Sequence, residues 1–170
     1  MKAGKGPVTF CKSGIIEIRD EDIRRLKKEA AKSDLKRARL CLHKDHADKV
    51  HEMVIAFCKG SYARPHRHSD KSESFHVIEG RMTVALFDRR GKVMRRVEMG
   101  PAGSGLTFFY RMADELWHTV VPNTEFVIVH ETTRGPFIRN ESELAPWSPD
   151  YGDAEGINAF LRRLSQRERR

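Results

Sequence analysis

Short apolar runs separated by glycine- and proline-marked breaks recur along the chain, a rhythm that predicts many strands and few helices. Residues 1–14 read as an irregular lead-in and 14–19 as a short strand. Asp20 is a plausible N-cap for a helix running to about Ser33, in which Ile23, Leu26 and Ala30 make a modest apolar stripe. Acidic residues at its start and Lys and Arg later suit the helix dipole. Residues 37–43 read as extended, 44–49 as a polar loop and 51–59 as a buried strand closed by Gly60. Further strands are predicted at 75–78, 81–88, 93–99, 106–110, 116–121 and 125–131. The turn at 88–92 carries Gly91 where positive φ is needed, and 122–124 turns the chain between the last two strands.

Beyond Thr133 the character changes. Residues 134–137 and 145–150 read as an extended strap. Asp153 then caps a final helix whose Ile157, Phe160, Leu161 and Leu164 fall at i, i+3, i+4 and i+7. That stripe is suited to docking on the body of the protein or on a partner subunit. The pattern as a whole predicts an all-β barrel or jelly roll with a helix at each end.

Composition narrows the class. A chain of 170 residues, 39% apolar and 33% charged, suits one soluble domain over 1–170. Within it, 1–50 holds the N-terminal helix and extended lead-in, 51–133 the barrel core and 134–170 the strap and helix. No apolar run approaches the roughly 20 residues that a membrane helix needs. The start, Met1-Lys-Ala-Gly-Lys-Gly-Pro7, lacks the apolar core of a signal peptide, so a cytoplasmic location is expected. Cys11, Cys41 and Cys58 are odd in number and without CxxC spacing, which argues against disulfides and thiolate zinc.

The net charge of +8 raises the question of nucleic acid. Much of the excess sits at 24–39 and 162–170, interleaved with acids, and no RNA or DNA module is recognisable. An anionic small molecule, such as a phosphorylated sugar or nucleotide sugar, fits the charge better.

The candidate chemistry lies in residues 60–80, with spacing Gly-x5-His-x-His-x4-Glu-x6-Gly at Gly60, His66, His68, Glu73 and Gly80. In an extended segment His66 and His68 point the same way, because a strand repeats every two residues. A hairpin would return Glu73 against them. Two imidazole nitrogens and a carboxylate oxygen suit a divalent first-row metal. A lone histidine on an apolar face is ordinarily a satisfied core residue; the pair with Glu73 is not. His118, in 116–121, shares its strand face with Leu116 and Val120 and is the best fourth ligand.

The stretch resembles the first motif of the cupin superfamily at every defining position. That resemblance implies a double-stranded β-helix (jelly-roll) barrel in which His66, His68 and Glu73 are metal ligands and a later histidine, here His118, completes the set. The superfamily's second motif is matched only at His118: Ala113 stands at a usual proline, Glu115 at a usual glycine and Pro122 at a usual asparagine. Glu115 is thereby a further carboxylate near the site.

With its flanks, the chain looks like the WbuC family of cupin-fold metalloproteins, associated with O-antigen and surface-polysaccharide gene clusters. The blocks are 39–43, 51–56, 62–68, 73–80, 117–121, 131–137 and 145–147. The resemblance implies one divalent ion (Fe, Zn, Mn or Ni), an anionic sugar-type ligand and a homodimer. His43, Arg64, His76 and Glu115 are the catalytic candidates, and His43, Arg39 and Arg134 the candidates for holding an anion. Three readings follow. The first is a metal-dependent sugar isomerase or epimerase, the second a non-catalytic saccharide-binding module, and the third, with iron, a dioxygenase.

Overall fold

The computed structural model describes residues 6–138 and 142–165. The first five residues of the lead-in, residues 139–141 of the strap and the basic tail beyond Ser165 lie outside the described residues. Two sheets form the body. Six strands are ordered β1 (Val8–Phe10), β2 (Arg37–Cys41), β3 (Val50–Cys58), β10 (Phe126–Arg134), β5 (Glu73–Glu79), β8 (Phe109–Met112). Five are ordered β11 (Ser142–Leu144), β4 (His66–His68), β9 (Trp117–Pro122), β6 (Met82–Phe87), β7 (Val93–Met99). The expected barrel is therefore two sheets facing each other; among the described residues their ladders do not close.

Alternation decides what lies between them. Met53, Ile55, Phe75, Val77, Val127 and Val129 from the larger sheet meet Met82, Val84, Leu86, Val97 and Val120 from the smaller. Each such apolar side chain, fully buried, contributes roughly 1.5–3 kcal/mol. The opposite parity on the larger sheet, Ala38, Leu40, Val54, Ala56 and Ile128, is covered by Leu26 and Ala30 of α1 (Asp20–Lys32). The outer face of the smaller sheet, with Ala85, Phe87, Trp117 and Val121, is covered by Phe160 and Leu164 of α2 (Ala154–Ser165). The stripe of the last helix thus docks on the sheet. Asp153 caps that helix as expected, its carboxylate accepting from the Gly156 N–H at 2.8 Å.

Several expectations are corrected. The lead-in is not wholly irregular: Val8–Phe10 adds a parallel edge strand to β2. Residues 14–19 are not a strand; Arg19 instead stands at the helix N-cap, its N–H donating to Asp22 Oδ2 at 3.1 Å, so Asp20 falls one step inside. The strand expected at 106–110 is displaced to Phe109–Met112, where it pairs with β5. The strap contributes β11, which the extended reading left unpaired.

The hairpin expected between the two histidines and Glu73 is absent. β4 pairs with β9 and β11, whereas β5 pairs with β10 and β8. Residues 69–72 carry the chain from one sheet to the other, so Glu73 meets the histidines across the interior. Gly80 makes the turn after β5 possible: its φ is +79°, and a Cβ there would collide with the Phe126 carbonyl.

Candidate metal centre

His66 and His118 are register partners in the β4–β9 ladder, and His68 shares the strand face of His66. The three rings come together: each offers a nitrogen within 4.8 Å of the others. Glu73 approaches from the larger sheet, with Oε1 2.9 Å from His118 Nε2 and Oε2 3.6 Å from His68 Nε2. His118 is 1% exposed and Glu73 4%.

The far nitrogen of each ring is anchored. His66 Nδ1 lies 2.9 Å from the Arg64 carbonyl, His118 Nδ1 2.9 Å from the Leu116 carbonyl, and His68 Nδ1 2.8 Å from Ser142 Oγ. A carbonyl only accepts, so Nδ1 of His66 and of His118 carries the proton and the neutral ring's Nε2 is a lone-pair donor. Anchoring of this kind orients imidazole toward a metal and raises its basicity.

The fit to a cation rests on two orphaned atoms. His118 Nε2 and Glu73 Oε1 are buried, 2.9 Å apart, and still without a hydrogen-bond partner, because with the ring proton on Nδ1 the two atoms face each other lone pair to lone pair. Buried polar atoms are rarely left so. A divalent ion held by His66, His68, His118 and Glu73 satisfies both at once, and three nitrogens with one carboxylate suit the borderline first-row metals.

The charges agree with this arrangement. Burial, then the charge of His118, pushes His66 down to about 3. Burial alone would raise Glu73, but the charge of His118 holds the carboxyl far below its usual range. His118 is raised: burial works against its cation, and the Glu73 carboxylate prevails.

The other sequence candidates lie elsewhere. Arg64 is tied into the strap, with Nε donating to Ser148 Oγ at 2.9 Å and Nη1 paired with Asp150. Glu115 is exposed, its Oε1 accepting from the Asp70 N–H at 3.0 Å, and so supports the crossover between sheets. His76 faces outward, as alternation requires, beside Phe108 and Phe109. His43 is buried in a separate cluster, stacked on His51 at 4.0 Å, with Nδ1 near the Glu52 backbone. Arg134 pairs with Asp70 at 2.7 Å on the surface. Tyr62 donates to the Pro149 carbonyl at 2.8 Å under the strap, and its hydroxyl is spent there.

Two contributors were missed in the sequence. Glu131 continues the inward parity of Val127 and Val129 on β10 and so faces the centre; burial lifts it to about 7, Arg39 working against the rise and Glu73 adding to it. Its parity was readable once the valines were assigned to the core. Ser142, the anchor of His68, arrives by a strap pairing for which no local sequence signal exists.

Similarities to known proteins follow the geometry. A family model described as a domain of unknown function (DUF6016) matches residues 18–99. No curated protein sequence matches. Among solved structures, the chain is similar to a Shewanella oneidensis protein, at 14% identity over 75% of this chain and 81% of that one, TM-score 0.52. That likeness shows a shared fold. A Bacillus subtilis oxalate decarboxylase variant overlaps 57% of this chain and 24% of its own, at 17% identity and TM-score 0.46. The Schizosaccharomyces pombe Cnp3 cupin domain overlaps 58% and 61%, at 14% identity and TM-score 0.45. Among the described residues, no helix is long and apolar enough to cross a membrane.

Proposed function

We infer that this protein is a cupin-type metalloenzyme that isomerises or epimerises a sugar or nucleotide sugar in surface-polysaccharide synthesis. The observation that carries the metal reading is the orphaned pair His118 Nε2 and Glu73 Oε1, set among imidazoles whose other nitrogens are already held. The sugar and the pathway rest on the resemblance to WbuC-like proteins in the blocks around 62–80 and 131–137.

His66, His68, Glu73 and His118 would hold the ion. When bound, a divalent metal supplies Lewis-acid polarisation of a carbonyl or hydroxyl pair. The chain's own residues do the rest. Arg64 and Leu116 carbonyls and Ser142 fix ring orientation, and the apolar side chains of Phe75, Leu86 and Val120 limit water around it. Glu131, inward-facing, is a carboxyl placed to hold or accept a proton.

Metal content decides the reading. Protein purified without chelators is analysed beside a His66→Ala/His68→Ala double variant. Near-stoichiometric metal in the native chain, lost from the variant, is expected, and turnover assays then follow the metal found. Absence of metal in the native chain, both as purified and after reconstitution, would reject the metalloenzyme and favour a saccharide-binding module.

A further inference from the structure

Cross-strand rows place two further polar side chains in the row adjoining the centre and a third one row beyond. Thr133, Glu73 and Met112 stand in one row of the larger sheet. The adjoining row reads Cys41, Met53, Glu131, Phe75, Tyr110. Glu131 and Tyr110 therefore flank Phe75, one row inward from Glu73. Arg39 belongs to the next row, beside Ile55 and Val129. All three share the parity of the main core, and the Tyr110 ring stacks on Phe75 at 6.4 Å.

These three differ from their surroundings in two ways. Ile55 and Val129 are 0% exposed and Cys41 2%, whereas Arg39, Glu131 and Tyr110 keep partial exposure although they point inward. Solvent therefore reaches part of each of the three residues. Arg39 and Glu131 attract each other through their charges, and among the described residues no side-chain hydrogen bond ties up any of the three. Inward polar groups without partners are unusual. A cation with five donors, an acceptor and a hydroxyl, none held in a hydrogen bond and the last two in the row next to Glu73, are the complement of one kind of molecule.

We propose that Arg39, Glu131 and Tyr110 form the recognition side of the centre and select a small hydroxy acid. Its carboxylate takes the fork of Arg39, a hydroxyl donates to Glu131, and Tyr110 donates to a second oxygen. This rests on the metal-centre reading for the ligand's remaining oxygen, and it narrows the substrate to a sugar carrying its own carboxylate. A neutral sugar offers Arg39 no carboxylate and so gains nothing from its fork.

The test is calorimetric titration of glycerate, acetate and glycerol into the cobalt(II)-loaded and the metal-free protein. Wild type is compared with Arg39→Gln, Glu131→Gln and Tyr110→Phe. Loaded wild type is expected to bind glycerate at least about tenfold tighter than acetate or glycerol, the worth of one charge-assisted hydrogen bond. Arg39→Gln abolishes the preference over glycerol, Glu131→Gln and Tyr110→Phe reduce the preference over acetate, and all four chains hold the same cobalt. If Arg39→Gln does not fold, Arg39→Lys, which keeps the charge and loses the fork, replaces it and is expected to weaken glycerate in the same direction. Equal binding of glycerate and acetate in both forms, or a preference over glycerol that survives the Arg39 substitution, overturns the proposal. Wild type that takes up no cobalt refutes the metal centre alone. The metal-free titration then decides: an Arg39-dependent preference for glycerate sustains the recognition site, and its absence ends it.

Discussion

His118 and Glu73, from opposite sheets, bring a ring nitrogen and a carboxylate oxygen to 2.9 Å without forming a hydrogen bond. Neither atom is reached by water, and the other ring nitrogen of His118 is held by Leu116. A cation placed between them would satisfy both atoms.

Loading the site should therefore stabilise the fold. At metal one hundred times above its dissociation constant the gain is about 2.7 kcal/mol. For a chain of this size that raises Tm by about 5–11 °C. Scanning calorimetry with and without a chelator measures it, and Glu73→Gln should erase most of the difference.

Acid should weaken the metal-free protein through His66. Its folded value of about 3 lies below the ordinary 6.5, so the unfolded chain binds the extra proton between those limits. Stability then falls as pH drops from 6.5 toward 3, by up to about 1.4 kcal/mol per pH unit. Urea midpoints of the chelator-treated protein across that window report the slope, and His66→Gln should flatten it. His118 acts in the other sense. Its value is raised, so its contribution is complete below 6.5 and is lost as pH rises through the folded value.

Ser142→Ala removes no expected ligand, yet it frees His68 Nδ1. Competition titration with a chromophoric chelator should show metal affinity lowered about 10–100-fold, the usual effect of losing such an anchor, with the circular dichroism spectrum unchanged.

The strap should respond unequally to its two halves. Arg64 is 15% exposed and Asp150 78%. Asp150→Ala removes a solvent-screened partner and should cost under about 1 kcal/mol. Arg64→Ala removes the donor to Ser148 Oγ, whose own bond to the Ala145 carbonyl remains, and releases the strap, costing about 1–3 kcal/mol. Denaturant unfolding of the two variants ranks them.

The homodimer expected from the family resemblance predicts a light-scattering mass twice the chain's 19.6 kDa. Ile78, Phe108 and Phe109 are about half exposed, the first and last on the outer face of the larger sheet and all three beside edge strand β8. Phe109→Lys should shift the mass toward the monomer if that face is the contact.

Much of this was readable along the chain, and what was not has a common cause. The period-2 pattern located β3, β5, β6, β7, β9 and β10, and parity put His118 inward, because a strand's own alternation fixes its faces. Gly60 and Gly80 both take positive φ where the spacing placed them. What local pattern lacks is partner choice. A hairpin and a crossover between sheets leave the same alternation in 66–79, so the side from which Glu73 arrives was misjudged. Arg64, singled out because it precedes the ligands, is drawn instead to Ser148 and Asp150, more than 80 residues away. Glu131 was hidden inside a predicted strand because its charge drew no attention among valines.

The anchoring of His68 by Ser142 has a consequence for synthesis. The two residues lie 74 positions apart. At roughly 5–20 residues per second, about 4–15 s separate their appearance on the ribosome. His66, His68 and Glu73 are thus made early, while the group that sets the His68 ring, with the β11 backbone that pairs with β4, is made late. A nascent chain holds incomplete metal-binding chemistry throughout that interval, and the pairing of its C-terminal segment is the event that gives the centre its final shape.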